Sequence, residues 1–178
     1  TTTTLVGRML AASGFETWVG GNIGNPLLND LANIATDHRV VMELSSFQLD
    51  LMTISPQIAG VLNITPNHLD RHKTMEAYIA AKRNVVAHQS PGDVAVLGYD
   101  DPNARALSAA TPGEIRYFSG EIKGEVEAGA FLRGGRLMLR RNGEDIVVCE
   151  RQDVRLRGFH NVMNTLAAIA LADAAGAS

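Results

Sequence analysis

The 178-residue sequence predicts an α/β fold: a mostly parallel sheet flanked by helices, with a small antiparallel β subdomain. Three observations carry that expectation. Short apolar runs alternate with helically spaced patterns through the first half, as expected where crossover helices join parallel strands. From about 114 to 150 the chain changes to short strands separated by Gly134-Gly135 and Asn142-Gly143, the signature of antiparallel hairpins. The polar residues that interrupt the apolar runs fall at strand ends, where open α/β sheets bind ligands.

The elements follow in order. Thr1-Thr2-Thr3-Thr4 leads into "LVGRMLAASG", where Leu5, Val6, Met9 and Leu10 recur at helical spacing and Gly14 supplies a stop. Four β-branched hydroxyl residues are poor helix formers and suit a helix N-terminus that binds something. "FETWVG" reads as a strand, "GNIG" as its turn, and Pro26 to about Ala35 as helical. "RVVME" is the next strand, followed by a helix from Ser45 to about Thr53. "QIAGVLNIT" (57–65) is a strand, "TMEAYIAAKRNVVAHQ" (74–89) a long helix and "DVAVLGYDD" (93–101) a strand. "EIRYFSG" and "GAFLRGGRLMLRRNGEDIVVCE" supply the hairpin strands, and "RGFHNVMNTLAAIALADAAG" holds a final helix.

Composition narrows the function classes. Hydrophobic content of 46% with 20% charged residues is ordinary for a soluble globular protein. A net charge of -3 gives no electrostatic reason to bind nucleic acid or an anionic membrane. No run approaches the roughly 18 apolar residues that span a bilayer. Cys149 stands alone, which excludes an internal disulfide framework and fits a reducing, cytoplasmic compartment. The opening threonines and the closing "LADAAGAS" both read as cut ends, so an internal piece of a longer protein is expected.

Candidate chemistry clusters at three consecutive strand ends. In "VVMELSSFQL", Glu43 ends a core strand immediately before a helix start, with Ser45 two residues on. Gly20-Gly21-Asn22-Ile23-Gly24 lacks GxGxxG spacing. It reads either as a tight turn or as a loop that approaches a ligand closely, with the Asn22 amide as a donor. "NITPNHLDRH" places His68 beside Asp70, Arg71 and His72, either as a solvated loop or as an imidazole near the Glu43 carboxylate. Such a pair could share a metal, and oxygen-rich surroundings favour Mg²⁺ or Mn²⁺ over structural zinc.

Lys82 lies in the middle of the apolar stripe formed by Met75, Tyr78, Ile79, Val85 and Val86. A bare ammonium there either snorkels to water, meets an anion, or changes its charge by modification. Asn161 and Asn164 share a face at the start of the last helix. Capping explains one of them, best Asn161, and two amides beside His160 also suit the edge of a purine.

Together "GGNIG", "ELSSFQL", "NITPNHLDRH", "YIAAKRNV" and "GFHNVMNTLAA", in this order, resemble the central ATPase domain of the Mur ligases, a P-loop NTPase-like fold. The form "ELSSFQL" with "GGNIG" ahead of it is similar to the D-glutamate-adding branch of that family. The resemblance implies an ATP-dependent, cytoplasmic ligase of peptidoglycan synthesis, acting as a monomer. Its substrates would be UDP-N-acetylmuramoyl-L-alanine and D-glutamate, joined through an acyl phosphate. By the same resemblance Glu43 and His68 serve Mg²⁺, and Lys82 is carbamylated and helps hold the metal. Asn22, Ser45 and His68 contact the muramoyl substrate, Asn161 and Asn164 read adenine, and Thr1 and Thr2 follow the phosphate-loop lysine.

Two departures stand out. The family's GxxGK[ST] loop is absent, so residues 1–178 read as one central domain that begins inside that motif, without the UDP-binding and amino-acid-binding domains on either side. Asn67 stands where Asp is frequent, which makes the site less anionic. These residues alone are therefore expected to be inactive. The alternatives are another Mur-type ligase, folylpolyglutamate synthetase, or a nucleotide-binding module without catalysis.

Overall fold

The computed structural model describes residues 1–67, 69–120 and 126–178, with Leu69 described by its backbone only. Its strands form two sheets. In the first, β1 (Thr17–Gly21) and β2 (Arg39–Glu43) pair in parallel, with Gly21 opposite Glu43. The second runs β3 (Ile58–Val61), β4 (Val94–Gly98), β5 (Glu114–Ser119), β6 (Gly129–Arg133), β7 (Arg136–Arg141) and β8 (Glu144–Glu150), side by side in that order. Among the described residues of this sheet, the pairs from β3 to β6 are parallel, and β6-β7 and β7-β8 are antiparallel.

The antiparallel part is therefore smaller than its glycine turns imply, and it continues the parallel sheet. Both turns that signalled hairpins are real. Gly134-Gly135 and Asn142-Gly143 all take positive φ, from 54° to 80°, as the two central positions of a tight hairpin turn require. "EIRYFSG" belongs to the other half of the sheet. On β5, Ile115 and Tyr117 pack into one core cluster and Phe118 into another, so both faces are covered as a parallel strand demands.

Helices cover both faces. On one lie α2 (Ser46–Asp50), α4 (Met75–Ala87) and α5 (Pro102–Ala106), whose Leu49, Tyr78, Val85 and Ala104 meet Ala59, Val61, Ala95 and Leu97 of the sheet. On the other, α6 (Phe159–Ala174) sets Val162, Leu166 and Ile169 against Val96, Phe118, Leu137 and Leu139. Beside it, α1 (Thr2–Ala12) packs Val6 and Leu10 on Ala168. A short helix, α3 (Leu69–His72), precedes α4. Residues Leu27–Asn33 form a 3₁₀ turn instead of the expected helical stretch, because Pro26 and a short run with one buried residue give an α-helix nothing to nucleate on.

The direction of these helices positions the site. Near the C-terminal end of α6, Asp173 receives Arg116 of β5 at 2.6 Å and also Arg141 of β7. Arg39, at the start of β2, donates to the Ala175 carbonyl at 3.3 Å. Phe159 and Met163, near the N-terminal end of α6, lie against Gly120 just past β5. The helix thus runs against the strands, and its N-terminus stands at their carboxyl edge. Helix α1 does the same, since it ends where β1 begins. No described helix is long and apolar enough to cross a membrane.

Candidate functional site

The ends of β1 and β2 are locked together by main chain. Gly21 has φ +99°, and a Cβ there would sit 2.2 Å from the Glu43 carbonyl oxygen, so this position requires glycine. The next amide, Asn22 N–H, donates to that same carbonyl at 2.8 Å. Gly21 N–H donates to Asn25 O, and the Asn25 side chain donates to Val19 O, which closes the turn. The glycine-rich loop is therefore a built turn that holds Asn22 exposed beside Glu43. The Glu43 carboxylate is half-buried, and no described residue forms a hydrogen bond or ion pair with it. An oxygen donor left open at a strand end fits a hard divalent cation.

Ser45 begins α2 through a capping box: its Oγ accepts from Gln48 N–H, and Gln48 Oε1 accepts from Ser45 N–H at 2.8 Å. Its hydroxyl also donates to Gln48 Oε1, so the cap uses the group expected to face a substrate.

Lys82 stands on α4 as its apolar stripe predicted. It is half-buried, and desolvation holds its pKa below the ordinary lysine value. Its Nζ lies 5.2 Å from the Tyr78 ring centroid, and no described carboxylate is within ion-pair reach. His68 lies outside the described residues. Among those described, no three His, Cys, Asp or Glu gather as a metal site.

Four residues that sequence reasoning did not single out as functional join this region. His72 stacks on Phe47 with ring centroids 5.1 Å apart and planes 2° from parallel. It meets Tyr78 at 5.3 Å, and its Nε2 lies 2.9 Å from the buried Ser46 Oγ. The only signal was a second histidine four residues past His68, without any hint of a partner 26 residues away.

The N-termini of α1 and α6 are joined by a chain of hydrogen bonds. Thr2 Oγ1 donates to Asn164 Oδ1 at 3.2 Å, Asn164 Nδ2 to Asn161 Oδ1 at 3.1 Å, and Asn161 Nδ2 to the Arg157 carbonyl at 2.7 Å. The cap of α6 is Gly158, not Asn161, because Gly158 takes φ +90° and Asn161 reaches back from inside the first turn. Each asparagine keeps one amide hydrogen free of this chain. Thr1 caps α1 without a side-chain bond, which leaves first-turn N–H groups open to an anion. The residues present thus fit a nucleotide: helix N-termini for phosphates, and oriented amides nearby.

Residues 1–172 match the Mur ligase middle domain. The chain belongs to the Mur ligase family. Among its curated relatives, the UDP-N-acetylmuramoylalanine--D-glutamate ligase of Symbiobacterium thermophilum is 46% identical over 99% of this chain. That of Clostridium kluyveri is 44% identical over 94%. The chain spans 39% and 35% of the lengths of these two relatives. A solved structure of MurF from Acinetobacter baumannii superimposes with a TM-score of 0.71 at 22% identity, over 100% of this chain and 40% of that one. A murein peptide ligase from Psychrobacter arcticus gives 0.64 at 17%, over 98% of this chain and 41% of that one. These structural likenesses establish the Mur ligase fold, including the parallel sheet with helices on both faces.

Proposed function

We propose that this chain is the ATP-binding middle domain of a cytoplasmic, monomeric ligase that joins D-glutamate to UDP-N-acetylmuramoyl-L-alanine. The observation that carries this reading is the 46% identity, over 99% of the chain, to a relative named for that activity. The γ-phosphoryl group of ATP passes to the free carboxylate of the muramoyl substrate, and ADP leaves. The D-glutamate amine then attacks the acyl carbon, phosphate departs, and the nitrogen loses a proton. Two anions must approach for the first step, and Mg²⁺, with Mn²⁺ as a substitute, supplies the neutralising charge when bound.

This chain's residues have assigned parts in that scheme. The open carboxylate of Glu43, with His68, would hold the metal. Asn22 stands beside Glu43 to contact the muramoyl substrate, and Ser45, two residues past Glu43, would contact the same substrate. The N-terminus of α1, where Thr1 is the cap and Thr2 opens the first turn, would face the phosphates, and Asn161 with Asn164 reads the adenine edge. Desolvation favours the neutral amine of Lys82, the form that adds to CO₂. An N–C bond forms, one C=O π bond opens, a proton leaves to solvent, and the resulting carbamate is an anion able to help hold the metal.

The test is phosphate release by the intact ligase with amino acids supplied in turn. Turnover with D-glutamate alone is expected. Selective turnover of L-alanine, a diamino acid, a dipeptide or a folate substrate would overturn the assignment. A crystal soaked with ATP and Mg²⁺ that shows no metal at Glu43 would instead favour a nucleotide-binding module without catalysis.

A further inference from the structure

We propose that His72 is a positioning residue for the metal and phosphate site. It fixes the Tyr78 ring on which Lys82 rests, and ties α4 to the start of α2 just past Glu43. The inference rests on the ligase reading above, in which Glu43 and Lys82 serve one metal.

Four contacts carry it. The His72 imidazole lies flat on Phe47, at 5.1 Å and 2° between planes. It meets the Tyr78 ring at 5.3 Å with the planes 50° apart. Its Nε2 lies 2.9 Å from Ser46 Oγ. On the far side of this relay, Lys82 Nζ lies 5.2 Å from the Tyr78 centroid. Phe47 and Ser46 follow Glu43 by four and three residues, while Tyr78 and Lys82 sit one turn apart on α4. One side chain therefore joins α2, which begins three residues past Glu43, to α4, which bears Lys82.

Ordinary packing does not account for the choice of residue. Ser46 is 4% exposed, and its hydroxyl bonds to His72 among the described residues. A phenylalanine at 72 would keep both ring contacts and leave that buried hydroxyl without its partner, at the cost of a lost hydrogen bond. If the ring were there only to fill space, the phenylalanine would serve as well.

The experiment measures Mn²⁺ binding by electron paramagnetic resonance in the intact ligase with ATP, beside kcat and KM. His72→Ala is expected to weaken Mn²⁺ binding and lower kcat, each about tenfold, as loss of a residue supporting a metal site does. KM for ATP should stay within about twofold, since the amides on α6 are untouched. His72→Phe should lower the melting temperature by no more than a few degrees and weaken Mn²⁺ binding about fivefold, as for one hydrogen bond. Ser46→Ala should reproduce that effect, and the double variant should be no worse than either alone. If His72→Ala does not fold, the other two variants decide. Wild-type Mn²⁺ binding and kcat in His72→Phe and Ser46→Ala would overturn the inference and leave the ligase reading standing. A wild-type enzyme that binds no Mn²⁺ with ATP would bring down both.

Discussion

The amide of Asn22 donates to the main-chain carbonyl of Glu43 across 2.8 Å, one residue past the last register pair of β1 and β2. The bond occupies the Glu43 backbone and leaves its carboxylate free to act. Glu43→Gln keeps the shape and removes the charge. It should lower phosphate release by the intact ligase at least a hundredfold, roughly the scale of losing one electrostatic stabiliser. Because no described group pairs with the carboxylate, stability should move by less than about 0.5 kcal/mol. An active Glu43→Gln enzyme would remove the residue from the metal site.

The same junction gives a stability prediction. Gly21→Ala must place a Cβ 2.2 Å from a backbone oxygen at φ +99°. The neighbour is main chain, so it cannot swing aside. The substitution should cost about 1–3 kcal/mol in urea unfolding, the scale of a strained backbone residue. Gly24→Ala serves as the control: φ is +81°, yet a Cβ there meets nothing within 4 Å. A Gly21→Ala protein no weaker than Gly24→Ala would show that the turn relaxes freely.

Two candidate site residues were legible in the sequence. Glu43 stood out because a carboxylate breaks an apolar strand, and Lys82 because an ammonium interrupts a helical stripe; both are contrasts within one short window. The parallel partner of β5 was not legible. Its residues suit either sheet type, and only packing on both faces decides. The Ser46–His72 and Thr2–Asn164 bonds join residues 26 and 162 positions apart, where a single sequence carries no pairing signal. The role of Gly158 as the cap of α6 was hidden by the better-known preference for asparagine at that place.

Burial lowers the Lys82 pKa, and the sign of its effect on stability follows. The unfolded chain holds this proton more tightly than the folded one, so folding carries a penalty while the lysine is charged. That penalty is present at neutral pH and fades as pH rises through the folded value toward the unfolded one. In CO₂-free buffer, where Lys82 stays an unmodified amine, Lys82→Met should therefore resist urea better than the wild type at neutral pH, less the roughly 0.5–1 kcal/mol of the lysine's contact with Tyr78. The advantage should shrink toward the ordinary lysine range, while ligase activity is lost at every pH. An advantage that grew with pH would contradict the assigned cause.

The hydroxyl of Thr2 completes a chain of two amides that starts at the Arg157 carbonyl, a group that can only accept. The carbonyl accepts from Asn161 Nδ2, which turns Asn161 Oδ1 to Asn164 Nδ2 and leaves Asn164 Oδ1 to accept from the Thr2 hydroxyl. Valine at position 2 has nearly the same shape and no donor. Asn164 then keeps only its bond to Asn161 against turning over, which would exchange its oxygen and nitrogen. A purine edge is read by that exchange, since adenine offers a donor where guanine offers an acceptor. Thr2→Val should reduce the preference of the intact ligase for ATP over GTP about fivefold, as for one hydrogen bond. Thr2→Ser, which restores the hydroxyl, should return it. The ratio of kcat/KM values for the two nucleotides is the readout. An unchanged ratio in Thr2→Val would mean that the Arg157 carbonyl and the Asn161–Asn164 bond suffice to orient the amides.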